Sequence, residues 1–273
     1  MKPTITICGI EVPRIGFGTL YVPAGRGFGP ARPNAVALLR EAASLGVRFF
    51  DTADSYGNGS AEDALRRALH PYDGLVIATK GGFRHERPGS WVADARPAHL
   101  RAALEGSLTR LGVVSIALYQ LHTPDSRVPY AESVGALARM QAEGKIREIG
   151  VSNVDARELA VARREARIVS VQNPFNLRYR ADEDVLRICA KNGIAFIPWS
   201  PLSDGALAAN DRALARIAKK HAATPAQVAL AALLHRSDVM LPIPGTSSPA
   251  HLKENVAAAN VALDADDLAA LWG

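Results

Sequence analysis

The chain has 273 residues, 48% of them hydrophobic, and a net charge of +5 from 32 basic and 27 acidic side chains. The basic excess is spread along the chain without a run of five or six like charges, which argues against a nucleic-acid partner; no apolar run approaches the ~18 residues of a membrane span; Cys8 and Cys189 make no disulfide framework, and the seven histidines form no HxxH or HxxxH metal pair. The expectation is one cytoplasmic domain over 1–273, with the oligomeric state left open.

In chain order, TITICGIEVPR (4–14) predicts a small β-hairpin turning at Gly9, placed to plug the bottom of a larger fold. Eight short, largely apolar strands are then predicted: 14–20, 47–53, 75–81, 113–122, 146–153, 169–175, 194–200 and 239–245. Helical patterns alternate with them at 33–45, 60–70, 97–111, 130–143, 155–164, 182–192, 211–236 (split at Thr224-Pro225) and 248–258. Gly46, Gly112, Gly144 and Gly193 fall where a helix hands over to a strand, as a left-handed terminating residue does. Strands with apolar bodies suit a sheet covered on both faces. The pattern predicts an α/β fold, a closed parallel (β/α)8 barrel.

In such barrels function gathers at the carboxyl ends of the strands. Those ends read Asp51-Thr52-Ala53, Thr79-Lys80, Gln120-Leu121-His122, Ser152-Asn153, Gln172-Asn173, Trp199-Ser200 and Gly245-Thr246-Ser247. Helix capping explains Asp, Ser, Thr and Asn at such places, but not Lys80, His122 and Gln172. A phenol ionises near 10, too high for efficient proton donation at neutrality. A neighbouring ammonium lowers that value, a carboxylate keeps the ammonium charged, and an imidazole orients a carbonyl oxygen. Asp51, Tyr56, Lys80 and His122 supply these four parts for the reduction of a carbonyl.

The motifs GFGT (16–19), FFDTADSYGNG (49–59), IATK (77–80), YQLHTPD (119–125), GVSN (150–153), VQNPFN (171–176), WSPL (199–202) and IPGTSSPAHLKENV (243–256) run in order along the chain. Together they resemble the aldo-keto reductases over essentially the whole length. The resemblance implies an NAD(P)H-linked oxidoreductase, with NADPH the first expectation, NADH the second, and a small carbonyl compound as substrate. It implies that Asp51, Tyr56, Lys80 and His122 are the catalytic tetrad, with Tyr56 the general acid. It implies that Ser152, Asn153 and Gln172 hold the nicotinamide carboxamide, and that Trp199 stacks on the nicotinamide. Ser200, Pro201 and Leu202 would lie along the pyrophosphate, and Glu254 and Asn255 against adenine. Gly245 and His251 stand where many members carry a lysine and an arginine for the 2′-phosphate, leaving Thr246 and Ser247 as hydroxyl donors. GFGPAR (27–32) and Ser90-Trp91 resemble a bacterial branch that includes pyridoxal reductases, which suggests pyridoxal-like aromatic aldehydes. Tyr21, Phe83 and Trp91 are candidate walls of the substrate pocket, with AGRGFGP (24–30) as a mobile rim. Two other readings stay open: an NAD-linked dehydrogenase of an alcohol or aldose, and a cofactor-binding regulatory or sensor subunit.

Overall fold

The computed structural model describes residues 2–87, 89–207 and 211–273. The chain opens with an antiparallel hairpin, β1 (Thr4–Ile7) and β2 (Ile10–Pro13). Cys8 and Gly9 form its turn with φ of 52° and 74°, the double positive φ that a tight hairpin needs. Ile7 and Val12 of this hairpin pack with Phe49, Val76, Leu118, Ile197, Leu241 and Ile243. The hairpin therefore closes one end of a core enclosed by the sheet.

The main sheet is parallel in its pairings and runs, edge to edge, 195–196, 168–172, 146–152, 116–121, 76–81, 49–51 and 17–18. Its strands are β3 (Phe17–Gly18), β4 (Phe49–Asp51), β5 (Val76–Gly81), β8 (Ile116–Leu121), β9 (Ile146–Ser152), β10 (Ile168–Gln172) and β11 (Ala195–Phe196). Helices Ala35–Ser44, Ser60–Leu69, Pro97–Leu111, Tyr130–Ala142, Ala156–Glu165, Glu183–Asn192 and Pro225–Arg236 alternate with them. A second, larger cluster packs Leu39, Leu65, Leu104, Leu137, Leu159, Leu186 and Leu233 against the outer face of the sheet. The two clusters explain the apolar strand bodies, since each strand is buried on both sides. Gly112 ends its helix at φ 73°, and its N–H bonds back to Leu108 O at 2.9 Å, the helix stop predicted from the sequence.

The predicted eighth strand, 239–245, takes a different form. It forms no continuous ladder but closes the barrel through separate bonds: Phe196 N to Val239 O and Leu241 N to Phe196 O, both 2.8 Å, and Gly16 N to Pro242 O at 2.9 Å. Pro242 and Pro244 have no N–H to donate, so the pairing cannot run on. At this seam a Cβ on Gly18 would meet Ile243 O at 2.8 Å, which explains the glycine of the GFG motif by close backbone approach. The strand around 14–20 likewise shortens to Phe17–Gly18, and that around 194–200 to Ala195–Phe196 before Pro198. A second hairpin, β6 (Phe83–Arg84) against β7 (Val92–Ala93), stands on the end of β5 and is absent from the sequence expectation. No helix among the described residues is long and apolar enough to cross a membrane.

Candidate active site

Asp51 closes β4 and is 1% exposed. A carboxylate buried this deeply requires paired and hydrogen-bonded oxygens. Oδ2 accepts from Lys80 Nζ at 2.7 Å, and Oδ1 accepts from Gln172 Nε2 at 2.8 Å and Gln120 Nε2 at 3.1 Å. Side chains from the ends of three further strands thus converge on one carboxylate.

Lys80, near the end of β5, is fully buried. Its three ammonium protons meet three acceptors: Asp51 Oδ2, Thr52 O at 2.9 Å and the Tyr56 hydroxyl at 3.3 Å. Burial works against its charge, but Asp51 and Tyr56 outweigh that penalty and raise its pKa above the ordinary lysine value. Because the Tyr56 oxygen accepts from Lys80, its own proton is left to point elsewhere. The Lys80 ammonium also stands 4.9 Å from the Tyr56 ring centroid.

The sequence expectation that Lys80 leaves the phenol below its ordinary value is corrected here. Burial is the largest influence and raises the Tyr56 pKa; Lys80 opposes it without reversing it. An ionised phenol at this depth loses more hydration than one ammonium, itself neutralised by Asp51, returns. Tyr56 is therefore a protonated phenol in this structure.

His122 directly follows β8, anchored by its N–H on Gly81 O at 2.9 Å. Its ring lies edge-on to Tyr56 at 5.9 Å and to Phe83 at 4.6 Å between centroids. Burial, then the charges of Lys80 and His85, hold its pKa well below the ordinary value, so the ring is neutral. Its Nδ1 is buried without a hydrogen-bond partner.

Around this centre stand aromatic side chains. Trp91 lies 6.1 Å from Tyr56, 6.2 Å from His122, 5.5 Å from Phe83 and 5.2 Å from Phe28. Of the three candidate pocket walls, Phe83 and Trp91 are thus brought together over the tetrad. Tyr21 has its ring edge beside Gly245. Phe28, Gln120 and His85 were not singled out by sequence reasoning. For Gln120 a signal existed: it is a polar residue at a strand tip, as Gln172 is.

The residues expected to hold a cofactor lie on the adjoining arc. Ser152 Oγ donates to Gln172 O at 2.6 Å, and Asn153 Nδ2 donates to His122 O at 2.9 Å. Trp199 Nε1 donates to Asn153 Oδ1 at 3.0 Å while the residue remains 38% exposed. A flat apolar face beside amide groups suits a planar ring bearing a carboxamide. Gln172 spends one of its two amide N–H groups on Asp51 and keeps Oε1 as an acceptor it can offer. Further round, Pro201 is buried and Ser200 and Leu202 are partly exposed. Ser200 takes φ 50° and its carbonyl accepts from Asn176 Nδ2 at 3.1 Å. Thr246 Oγ1 accepts from Ser248 N at 3.0 Å, and Ser248 caps the helix Pro249–Ala257. Ser247 O accepts from Asn34 Nδ2 at 3.3 Å, His251 is exposed on the first turn of that helix, Glu254 O accepts from Gln227 Nε2 at 3.1 Å, and Asn255 is buried. The partly exposed Ser247 and Ser248 hydroxyls, the exposed His251 imidazole and the helix N–H groups at this rim are compatible with a phosphate-bearing end of a nucleotide.

The parallel barrel gathers a buried phenol, ammonium and carboxylate at its strand ends, beside an arc that suits a nucleotide. Residues 14–272 match the aldo/keto reductase family, and the chain belongs to that family, whose members use NAD(P)H. It is 43% identical over 271 residues to an uncharacterised oxidoreductase of Schizosaccharomyces pombe, covering 98% of this chain and 88% of that one. It is 40% identical over 279 residues to the pyridoxine 4-dehydrogenase of Escherichia coli, covering 99% and 97%. Among solved structures, an aldo-keto reductase from Klebsiella pneumoniae in complex with NADPH superposes with a TM-score of 0.83 at 28% identity, covering 99% of this chain and 94% of that one.

Proposed function

We propose that the protein is an NADPH-dependent carbonyl reductase acting on aromatic aldehydes of the pyridoxal kind, with Tyr56 as general acid. The observation that carries this reading is the saturated Lys80 ammonium: with Asp51, Thr52 and Tyr56 as its three acceptors, it leaves the phenolic proton as the group's free donor. The bound dinucleotide would supply the hydride that reaches the carbonyl carbon. Tyr56 gives its proton to the carbonyl oxygen as negative charge develops there, and Lys80 stabilises the resulting phenolate. Asp51 holds Lys80 in place, and Gln120 and Gln172 hold Asp51. Neutral His122, protonated on Nε2, donates a hydrogen bond that orients the carbonyl oxygen. Phe28, Phe83 and Trp91 offer a flat substrate aromatic faces and edges, which favours an aryl aldehyde over a small aliphatic one.

Ser152, Asn153, Gln172 and Trp199 would hold the nicotinamide end of the cofactor. Ser200, Pro201 and Leu202 would follow its pyrophosphate. Gly245, Thr246, Ser247 and His251 would receive the 2′-phosphate, and Glu254 and Asn255 the adenine. The reverse reaction is the second reading. It is favoured by the 40% identity to an E. coli enzyme named for pyridoxine oxidation, and it uses the same residues with Tyr56 as base. The test is product analysis with NADPH and pyridoxal or benzaldehyde, then NADP and the matching alcohols. One alcohol formed per NADPH consumed supports the reading; turnover with neither carbonyl nor alcohol contradicts both directions.

A further inference from the structure

The His85 side chain joins the hairpin that carries Trp91 to the catalytic loop by hydrogen bonds. Its Nδ1 lies 2.6 Å from Ser90 O and its Nε2 2.7 Å from Ser55 O. Both partners are backbone carbonyls, which only accept hydrogen bonds. A neutral imidazole has one N–H and one lone pair, so one of the two contacts would set a lone pair against a carbonyl oxygen. Rotating the ring by half a turn exchanges each nitrogen for a carbon and loses both bonds. The geometry is satisfied only by a ring carrying a proton on each nitrogen.

The two carbonyls belong to different segments with different tasks. Ser55 immediately precedes Tyr56 in the loop after β4. Ser90 precedes Trp91 and closes the tip of the β6–β7 hairpin, its Oγ accepting from Glu86 N at 3.0 Å and Arg87 N at 3.1 Å. The hairpin base is pinned separately, by Asp94 N on Gly82 O at 2.8 Å. Among the described residues no strand ladder joins the tip to the barrel, and His85 hydrogen-bonds it to the catalytic loop. Its ring is also packed edge-on with Trp91 at 4.6 Å and Phe28 at 4.9 Å. It is therefore part of the aromatic wall, and among the described residues its two ring nitrogens bond Ser55 O and Ser90 O, not Tyr56 or Lys80.

We propose that His85 is a positioning residue for substrate selection: its imidazolium clamps Ser55 O to Ser90 O and so fixes Trp91 over Tyr56 and His122, setting the affinity for aryl carbonyl substrates. The inference rests on the reductase reading given above for its kinetic consequence, while the doubly donating ring stands on the geometry alone. Several charged or titratable groups face His85. Asp54, Arg84 and Arg110 line the same polar cavity of about 330 Å³. Glu86 follows it in sequence and pairs with Arg84 at 2.8 Å. His122 stands beyond the Phe83 and Trp91 rings and is kept neutral in part by the His85 charge.

The test has two arms. Nitrogen-15 NMR of the histidine rings in the unmutated protein, with His85 assigned by its loss in His85→Phe, reads the protons directly. Two protonated ring nitrogens at pH 7.5 are expected; a neutral-tautomer pattern at that pH overturns the clamp. Kinetics then separate the clamp from ring packing, because His85→Phe keeps an aromatic ring against Trp91 and Phe28 but has no donor. In His85→Phe and His85→Gln, KM for benzaldehyde should rise at least about tenfold, the scale of a charge-assisted hydrogen bond, with kcat changed less than about threefold and KM for propanal moved much less. An unchanged benzaldehyde KM, or an equal rise for both aldehydes, refutes the positioning role. If the unmutated protein reduces no aldehyde, the reductase reading fails, and the NMR arm still decides the protonation of His85.

Discussion

Two buried ion pairs stand side by side in this barrel, and they do different things. Asp51–Lys80 and Glu62–Arg110 each join a fully enclosed carboxylate to a cation, at 2.7 Å and 2.6 Å. Glu62 is closed off: one oxygen accepts from Arg110 Nε and the other from Thr79 Oγ1 at 2.5 Å. The Arg110 side chain reaches partly into solvent. Lys80 has no solvent and divides its three protons among carboxylate, carbonyl and phenol. The Glu62–Arg110 pair ties the helix Ser60–Leu69 to the helix Pro97–Leu111 and, through Thr79, to the strand carrying Lys80. The Asp51–Lys80 pair ends on the Tyr56 hydroxyl, which has a proton left to give. Burial and pairing alone therefore do not mark a functional site; a partner left with unused donor capacity does.

Breaking each pair sharpens the contrast. Lys80→Met should lower kcat by about 10²–10⁴-fold, the usual range for general acid–base catalysis, because the phenolate loses its counter-charge. The loss should appear in kcat and kcat/KM together, measured with benzaldehyde and saturating NADPH. Glu62→Gln should instead leave kcat within a few fold and cost about 3 kcal/mol of stability, the low end for a broken buried pair because Arg110 is partly hydrated. Urea unfolding checks it; a large kcat loss without a stability loss would merge the two pairs into one site.

Asp54 sits between them and offers a pH test. Burial, then the Glu62 charge, pushes its carboxyl from 3.8 up to about 7, and one of its oxygens is buried without a partner. A raised carboxyl pKa means that the folded state prefers the protonated form. Its contribution is fully present below the ordinary carboxylate range and is lost as pH rises through about 7. Asp54→Asn should therefore melt at a higher temperature than the unmutated protein at pH 8, with the gap closing towards pH 4. A gap that widens on acidification would contradict the assignment. The smallest effect is expected at the exposed rim: His251→Gln should weaken NADPH by two- to tenfold, the scale of one hydrogen bond, and NADH hardly at all. Equal weakening of both cofactors would place the 2′-phosphate elsewhere.

The barrel was legible because strand and helix periods alternate, and because strand tips differ in chemistry from strand bodies. Asp51, Lys80 and His122 could be placed at adjoining tips before any coordinate was known, since successive parallel strands are neighbours. The irregular eighth strand was half legible: Pro242 and Pro244 announce the loss of donors, but not which separate bonds replace the ladder. The β6–β7 hairpin was hidden because two-residue strands leave no periodic signal. His85 was hidden for a similar reason. Nothing in RHERPGSW says that both ring nitrogens meet carbonyls, since Ser55 lies thirty residues away. The direction of the Tyr56 shift failed for a physical reason: a sequence shows which charges adjoin a phenol, but not how much water it has lost.

The central claim is that Tyr56 gives the proton while Lys80 and Asp51 make that possible. The most direct measurement is the single-turnover rate of NADPH oxidation by benzaldehyde in Tyr56→Phe, taken with the NADPH dissociation constant. The account predicts a rate lower by about 10²–10⁴-fold with NADPH binding within twofold of the unmutated protein. A near-normal single-turnover rate in Tyr56→Phe would contradict it.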